Sequence, residues 1–227
     1  MPKEKRLSLL LHPLRRKIYE IICEIPGSYF YELADILATP PGTLLWHLKV
    51  LQKSGLIGST KYGGKRVFYP KLLRSIEVEK AFIVLKSENA RNIFKEVVNS
   101  PGIFQLELAR ALDVHHDTVK HHCDRLEDAG LLETFKEGKM VRYYLGDVGE
   151  KLVEGSSNII TETFIRFLSN KLKEGCLHPE IMEREKDYIK IEIKCPGKES
   201  ITISINLSNW NFLEEEEEEE EEKDGEK

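Results

Sequence analysis

The chain repeats itself. Shifting the sequence by 75 residues lays one segment on another without a gap. Pro26-Gly27 falls on Pro101-Gly102, Glu32-Leu33-Ala34 on Glu107-Leu108-Ala109, and Leu37 on Leu112. Thr43, His47, Leu51 and Gly55-Leu56 fall on Thr118, His122, Leu126 and Gly130-Leu131. Lys61, Gly63 and Tyr69 fall on Lys136, Gly138 and Tyr144. A repeat in one register fixes an architecture before any single element is read, because both copies must satisfy one pattern.

Each copy reads as three helices followed by a hairpin. Pro13 suits a helix start, and Leu14, Ile18, Ile21 and Ile22 recur at helical spacing, as do Ile93, Val97 and Val98. A Pro-Gly pair ends that helix. A short second helix runs from Tyr31 to Leu37, or from Leu106 to Leu112. A turn, Thr39-Pro40-Pro41-Gly42 or Asp113 to Asp117, leads into a third helix over 43–56 or 118–131. There Leu44, Leu48 and Leu51, matched by Val119, Cys123 and Leu126, form one apolar face. Gly55 and Gly130 stand where a helix end calls for a left-handed residue. Two short strands then flank Gly63-Gly64, or Gly138. This order is the winged helix-turn-helix plan. The expected fold is mainly α with small β wings (α+β): two tandem winged helix-turn-helix domains plus a C-terminal helix and β-hairpin.

The expected division is 1–78 for the first winged unit, 79–147 for the second, 148–213 for the helix and hairpin, and 214–227 for a disordered acidic tail. In the third part, Ile160, Phe164, Phe167, Leu168 and Leu172 recur at helical spacing, so 148–173 reads as largely helical with a break at Gly155-Ser156-Ser157. Ile189, Ile191 and Ile193 alternate with polar residues, Pro196-Gly197 makes a turn, and Ile201, Ile203, Ile205 and Leu207 mark a return strand. One hairpin cannot bury its apolar face alone, so it must lie on the preceding helix, a second chain or a partner.

The net charge of −5 hides an uneven distribution. Residues 1–78 carry thirteen Lys or Arg against six acids, a net of +7. Residues 79–148 net −2, residues 149–213 net −1, and residues 214–227 net −9, nine of them the unbroken glutamates Glu214 to Glu222. A polyanion is therefore drawn to the first unit. Acids this dense are expected to stay extended and solvated, either as a solubility tail or as a mimic of a phosphate backbone that competes for the basic unit. No stretch reaches the roughly 18 apolar residues of a membrane span, so a cytoplasmic protein is expected. The four cysteines, Cys23, Cys123, Cys176 and Cys195, lie far apart, which excludes zinc-finger spacing and makes a Cys176–Cys195 bridge no more than open. No Gly-rich phosphate loop and no nucleophile–base constellation is present, so neither an enzyme nor a cofactor is expected.

The stretches HPLRRKIYEII (12–22) and TLLWHLKVLQKSGLI (43–57) resemble ArsR/MarR-type winged-helix regulators, and the tandem arrangement resembles archaeal transcription regulators with two such domains. The resemblance implies binding of double-stranded DNA, usually as a homodimer. The third helix would enter the major groove, and with its apolar face set aside copy one presents Thr43, Leu45, Trp46, Lys49 and Lys53. Lys61, Lys65 and Arg66 of the wing would reach the backbone or minor groove. Copy two presents Thr118, Lys120, His121, Lys136, Lys139 and Arg142, but Asp124 and Asp128 replace Lys49 and Lys53 and would repel phosphate. Copy one is thus the expected reader and copy two an auxiliary. Two alternatives stand beside it. One is an interaction module contacting the basal transcription machinery. The other is a metal- or redox-responsive switch, for which Asp117, His121 and Asp124 share a helix face and are weak candidate ligands.

Overall fold

The computed structural model describes residues 9–71, 76–154, 156–174, 177–185, 188–194 and 199–208. Helix α1 (Pro13–Glu24) opens on a proline, which fixes φ and has no N–H to leave unpaired. It buries Ile18, Tyr19, Ile22 and Cys23. Gly27, at φ 84°, turns the chain into β1 (Ser28–Tyr29). Helix α2 (Phe30–Ile36) follows, with its start tied by the Glu32 carboxylate, which accepts from the Tyr29 N–H at 2.9 Å. The next turn bends at Ala38, φ 44°. Helix α3 (Pro41–Ser54) then begins two residues earlier than periodicity places it, because Pro41 serves as its first residue rather than as part of the turn. Gly55 ends α3 in the left-handed conformation. Strands β2 (Ile57–Tyr62) and β3 (Lys65–Pro70) pair through Lys61↔Arg66 and Tyr62↔Lys65. Gly63 and Gly64 close that hairpin, both at positive φ, as a two-residue turn of matching twist requires. The sheet order is β1-β3-β2.

Helix α4 (Ile76–Leu85) was not expected from the sequence. It runs through the 78/79 boundary, and Ala81 to Leu85 are all buried. The unbroken apolar run of Ala81 to Leu85 carries no periodic signal. Its Ile83 packs closely on Gly27: a Cβ there would meet the Ile83 Cα at 3.2 Å, tighter than an ordinary contact. Lys86, just beyond α4, pairs with Glu32.

The same order of elements then recurs. It comprises α5 (Glu88–Asn99), β4 (Ile103–Phe104), α6 (Gln105–Ala111), α7 (His116–Asp128), β5 (Leu132–Glu137) and β6 (Met140–Leu145), with sheet order β4-β6-β5. Details recur too. Glu107 accepts from the Phe104 N–H at 2.9 Å as Glu32 does from Tyr29, and Asp113, at φ 50°, takes the place of Ala38.

Helices α8 (Asp147–Glu154) and α9 (Ser156–Glu174) cover most of the expected helical stretch. The expected hairpin becomes a three-stranded sheet, β7 (His178–Arg184), β8 (Tyr188–Lys194) and β9 (Ile201–Asn206), in the order β7-β8-β9. Strand β7 carries no strand signal in the sequence because it does not alternate: Ile181 and Met182 are adjacent and both exposed, beside a register shift at Ile181/Glu183. Ile189, Ile191, Ile193, Ile203 and Ile205 are buried. The sheet rests on the chain's own first helix. β9 lies along α1, and the Ser204 N–H donates to the Glu20 carboxylate at 3.2 Å. β7 meets α9, where Arg184 pairs with Glu162 at 2.5 Å. The fold is mixed helix and sheet. Gly155, the Pro196-Gly197 turn, Cys176, Cys195 and the acidic tail from Glu214 lie outside the described residues.

Candidate nucleic-acid interface

Helix α3 is split into two faces by its own packing. Leu44, His47, Leu48 and Leu51 are buried, which turns Thr43, Leu45, Trp46, Lys49 and Lys53 outward. Trp46 is 56% exposed yet not loose. Its ring meets the His47 ring edge-on at 4.8 Å, and the Arg15 guanidinium lies 5.4 Å from its centroid. A large aromatic held rigidly at the surface gives up little rotamer freedom on binding. On the wing, Lys61, Lys65 and Arg66 are exposed around the Gly63-Gly64 tip. The Lys65 ammonium lies 5.5 Å from the Tyr29 ring, which gives this lysine a preferred station.

The second unit departs from this arrangement. On α7, Lys120 and His121 are exposed and Thr118 half-buried, with Asp124 and Asp128 exposed among them. Lys136 and Lys139 are exposed on the wing. Arg142 is not a wing-tip group. It matches Val67 rather than Arg66 in the 75-residue register and pairs across the sheet with Phe135 and Phe104. Its guanidinium donates to Glu137 at 2.6 Å and to the Gly102 carbonyl at 2.9 Å, and it covers the Phe104 ring at 3.8 Å. Those donors are spent within the fold. On the same sheet face Phe135 and Met140, 63% and 54% exposed, stand where the first unit has Thr60 and Lys65. One further contact joins the units: the Tyr62 hydroxyl, at the tip of the first wing, accepts from Arg125 of α7 at 2.7 Å.

The expected metal trio does not assemble. Asp117 turns back to the start of α7, where it lies 3.6 Å from His115 and 3.2 Å from His116, away from His121 and Asp124. Among the described residues, His115, His116 and Asp117 are the group whose ligand atoms converge, all exposed. Their bonds are those of a helix cap: His115 Nδ1 accepts from the Asp117 N–H at 3.3 Å. Cys23 and Cys123 are buried. Burial pushes the Cys23 thiol far up and the Cys123 thiol up to about 12, so neither supplies the thiolate that redox or soft-metal chemistry needs.

His47 and His122 hold matching places and are both buried, each with an Nδ1 that lacks a hydrogen-bond partner. Burial lowers both imidazole pKa values, helped by His12 and Arg15 at His47 and by His121 and Arg125 at His122. The folded chain therefore resists protons that the unfolded chain accepts below about pH 6.5. Stability from these groups is full above that value and declines as pH falls through it. Thermal unfolding should occur at a lower temperature at pH 5.5 than at pH 7.5. Replacing both residues with Gln should shrink the gap, and an undiminished gap in the double variant would contradict this account.

Residues 10–59 match the family described as helix-turn-helix domain. The matched stretch runs from α1 through the start of β2. The chain is similar to an uncharacterized HTH-type transcriptional regulator of Methanocaldococcus jannaschii, with 32% identity over 139 residues, 61% of this chain and 35% of the relative. It is also similar to the cadmium resistance transcriptional regulatory protein CadC of Listeria innocua, with 27% identity over 67 residues, 30% of this chain and 56% of that one. The chain thus spans about a third of the first relative's length and just over half of the second's. Among solved structures, the PcaV transcriptional regulator of Streptomyces coelicolor is 18% identical, with a TM-score of 0.29, over 60% of this chain and 81% of that one. Each is named as a transcriptional regulator and none as an enzyme. Among the described residues no helix is long and apolar enough to cross a membrane.

Proposed function

We propose that the chain is a cytoplasmic, homodimeric transcription regulator that reads duplex DNA with α3 and the wing of its first unit, the second unit acting as an auxiliary. The observation that carries this reading is the exposure of Thr43, Leu45, Trp46, Lys49, Lys53, Lys61, Lys65 and Arg66 on those two elements. An early, outward stretch of the third helix meets base edges, and lysines flanking it neutralise phosphates. The organisation that goes with it is a tandem pair of winged units, 1–78 and 79–147, with 148–213 as an interaction segment. Selection of bound duplexes from a random pool at physiological salt tests the reading. It should return a defined motif, and motif-free binding that vanishes with salt would refute sequence reading.

A second role is favoured for the second unit. Leu106, Phe135, Met140 and Tyr144 are exposed there, a surface suited to a protein such as a basal transcription factor rather than to phosphates.

A further inference from the structure

The start of α1 lacks what usually settles a helix N-terminus. Pro13 brings no N–H, the His12 side chain makes no capping bond, and the first turn holds no acid. The free N–H groups and the dipole leave this end of a 12-residue helix positive. Its surroundings add to that. His12 stacks at 4.6 Å on His47 of α3, and Arg15 stands in the first turn.

Arg15 is the unusual member. It is 7% exposed, and its buried Nε has no hydrogen-bond partner. It has no carboxylate within ion-pair distance among the described residues; its guanidinium lies 5.4 Å from the Trp46 ring centroid and close enough to His47 to help lower that imidazole's pKa. Burial alone lowers the guanidinium pKa. A buried cation without a counterion is strongly unfavourable unless something is gained from it. The fold does not demand it. The 75-residue register places Ala90, 0% exposed, at the same point of α5. The surrounding frame is shared: Arg16 donates to the Leu10 carbonyl as Arg91 donates to Leu85. The second unit also places Glu88 in the first turn of its helix, where the first unit has none. The first unit therefore holds a buried cation, and lacks an acid, at the helix start where His12 meets His47 of its reading helix.

We propose that the N-terminus of α1, with Arg15 as its charged member, is an anion site that takes a DNA backbone phosphate when α3 lies in the groove. This rests on the DNA-reading function above. Trp46 ties the two together, with one ring lying over Arg15 and facing out toward the duplex. The helix N–H groups and the guanidinium both donate to phosphate oxygens, so the contact positions the protein without reading a base.

The test compares the full chain with Arg15→Ala and Arg15→Lys. Alanine is the residue the second unit already accommodates, so Arg15→Ala should fold with an unfolding temperature equal to or above that of the wild type. Affinity should fall about tenfold for the selected motif and for a scrambled duplex alike. The slope of log affinity against log salt should shrink by about 1, and Arg15→Lys should recover part of both. A folded Arg15→Ala chain with wild-type affinity and slope overturns the proposal. A loss confined to the motif also overturns it, since that marks base reading. Inorganic phosphate supplies an arm that needs no DNA. It should raise the unfolding temperature of the wild type more than that of Arg15→Ala. If the wild type binds no duplex, the DNA reading fails. The phosphate arm then decides the anion site alone, and equal shifts in both chains overturn it.

Discussion

Replacing Trp46 and Lys49 together with alanine should erase the selected DNA motif while leaving a weak, salt-sensitive attraction to any duplex. Lys49 is exposed and Trp46, though 56% exposed, rests on His47 and Arg15, so the double loss should lower folding stability modestly and leave the chain folded. Good base-edge contacts are worth about 1–3 kcal/mol each in discrimination. A large, pre-positioned aromatic together with a phosphate-neutralising lysine should therefore account for a hundredfold or more in affinity for the motif. The remaining lysines, Lys53, Lys61 and Lys65, with Arg66, keep the non-specific component. The matched change in the second unit, His121→Ala with Asp124→Ala, should leave the motif intact. A motif retained by the first variant and lost by the second would transfer the reading role from α3 to α7. Repeating the duplex selection with each variant decides this.

The second large effect concerns the acidic tail. Truncation after Leu213 should tighten DNA binding and make it less selective. The chain leaves its last described strand on the body of the first unit, because β9 lies along α1. The fourteen residues 214–227 can span at most about 50 Å, more than twice the roughly 21 Å length of the 14-residue α3. A charge of −9 tethered beside a segment of +7 competes at the millimolar effective concentrations typical of short linkers. Removing it should raise affinity about tenfold or more at low salt, with the two chains converging as screening increases. Identical affinities for truncated and full chains at every salt concentration would show that the glutamates do not engage this face.

Much of the architecture was legible because two copies constrain each other. The face of α3 could be read from Leu44, Leu48 and Leu51, and again from Val119, Cys123 and Leu126. The wing tip could be read from Gly63-Gly64. What stayed hidden had a physical reason in each case. In helix α4, Ala81 to Leu85 present a solid apolar run without period. Strand β7 carries its apolar pair on adjacent residues at a bulge. Arg142 reads as a wing cation until strand register shows which face it occupies and which acid it meets. Arg15 stood in the sequence beside Arg16 with nothing to separate them. Only burial does so, since Arg16 bonds the Leu10 carbonyl and Arg15 has no such partner. The Asp117, His121 and Asp124 set satisfied helical spacing but not the pull of the helix cap.

The bond between Tyr62 and Arg125 carries a consequence for any regulation of this molecule. It fastens the tip of the first wing to the flank of α7, so the posture of one and the occupancy of the other are not independent variables. A ligand on α7 that favours the fastened arrangement must, by reciprocity, be bound more tightly by a chain whose wing is so arranged on DNA, and by the same factor. A ligand that needs Arg125 for itself must be driven off by DNA to the degree that it drives DNA off. The Tyr62 hydroxyl is thus one point at which the two units are coupled, beside the Lys86–Glu32 pair, and Tyr62→Phe, which removes that acceptor and keeps the ring, is the substitution that would weaken the coupling through the wing.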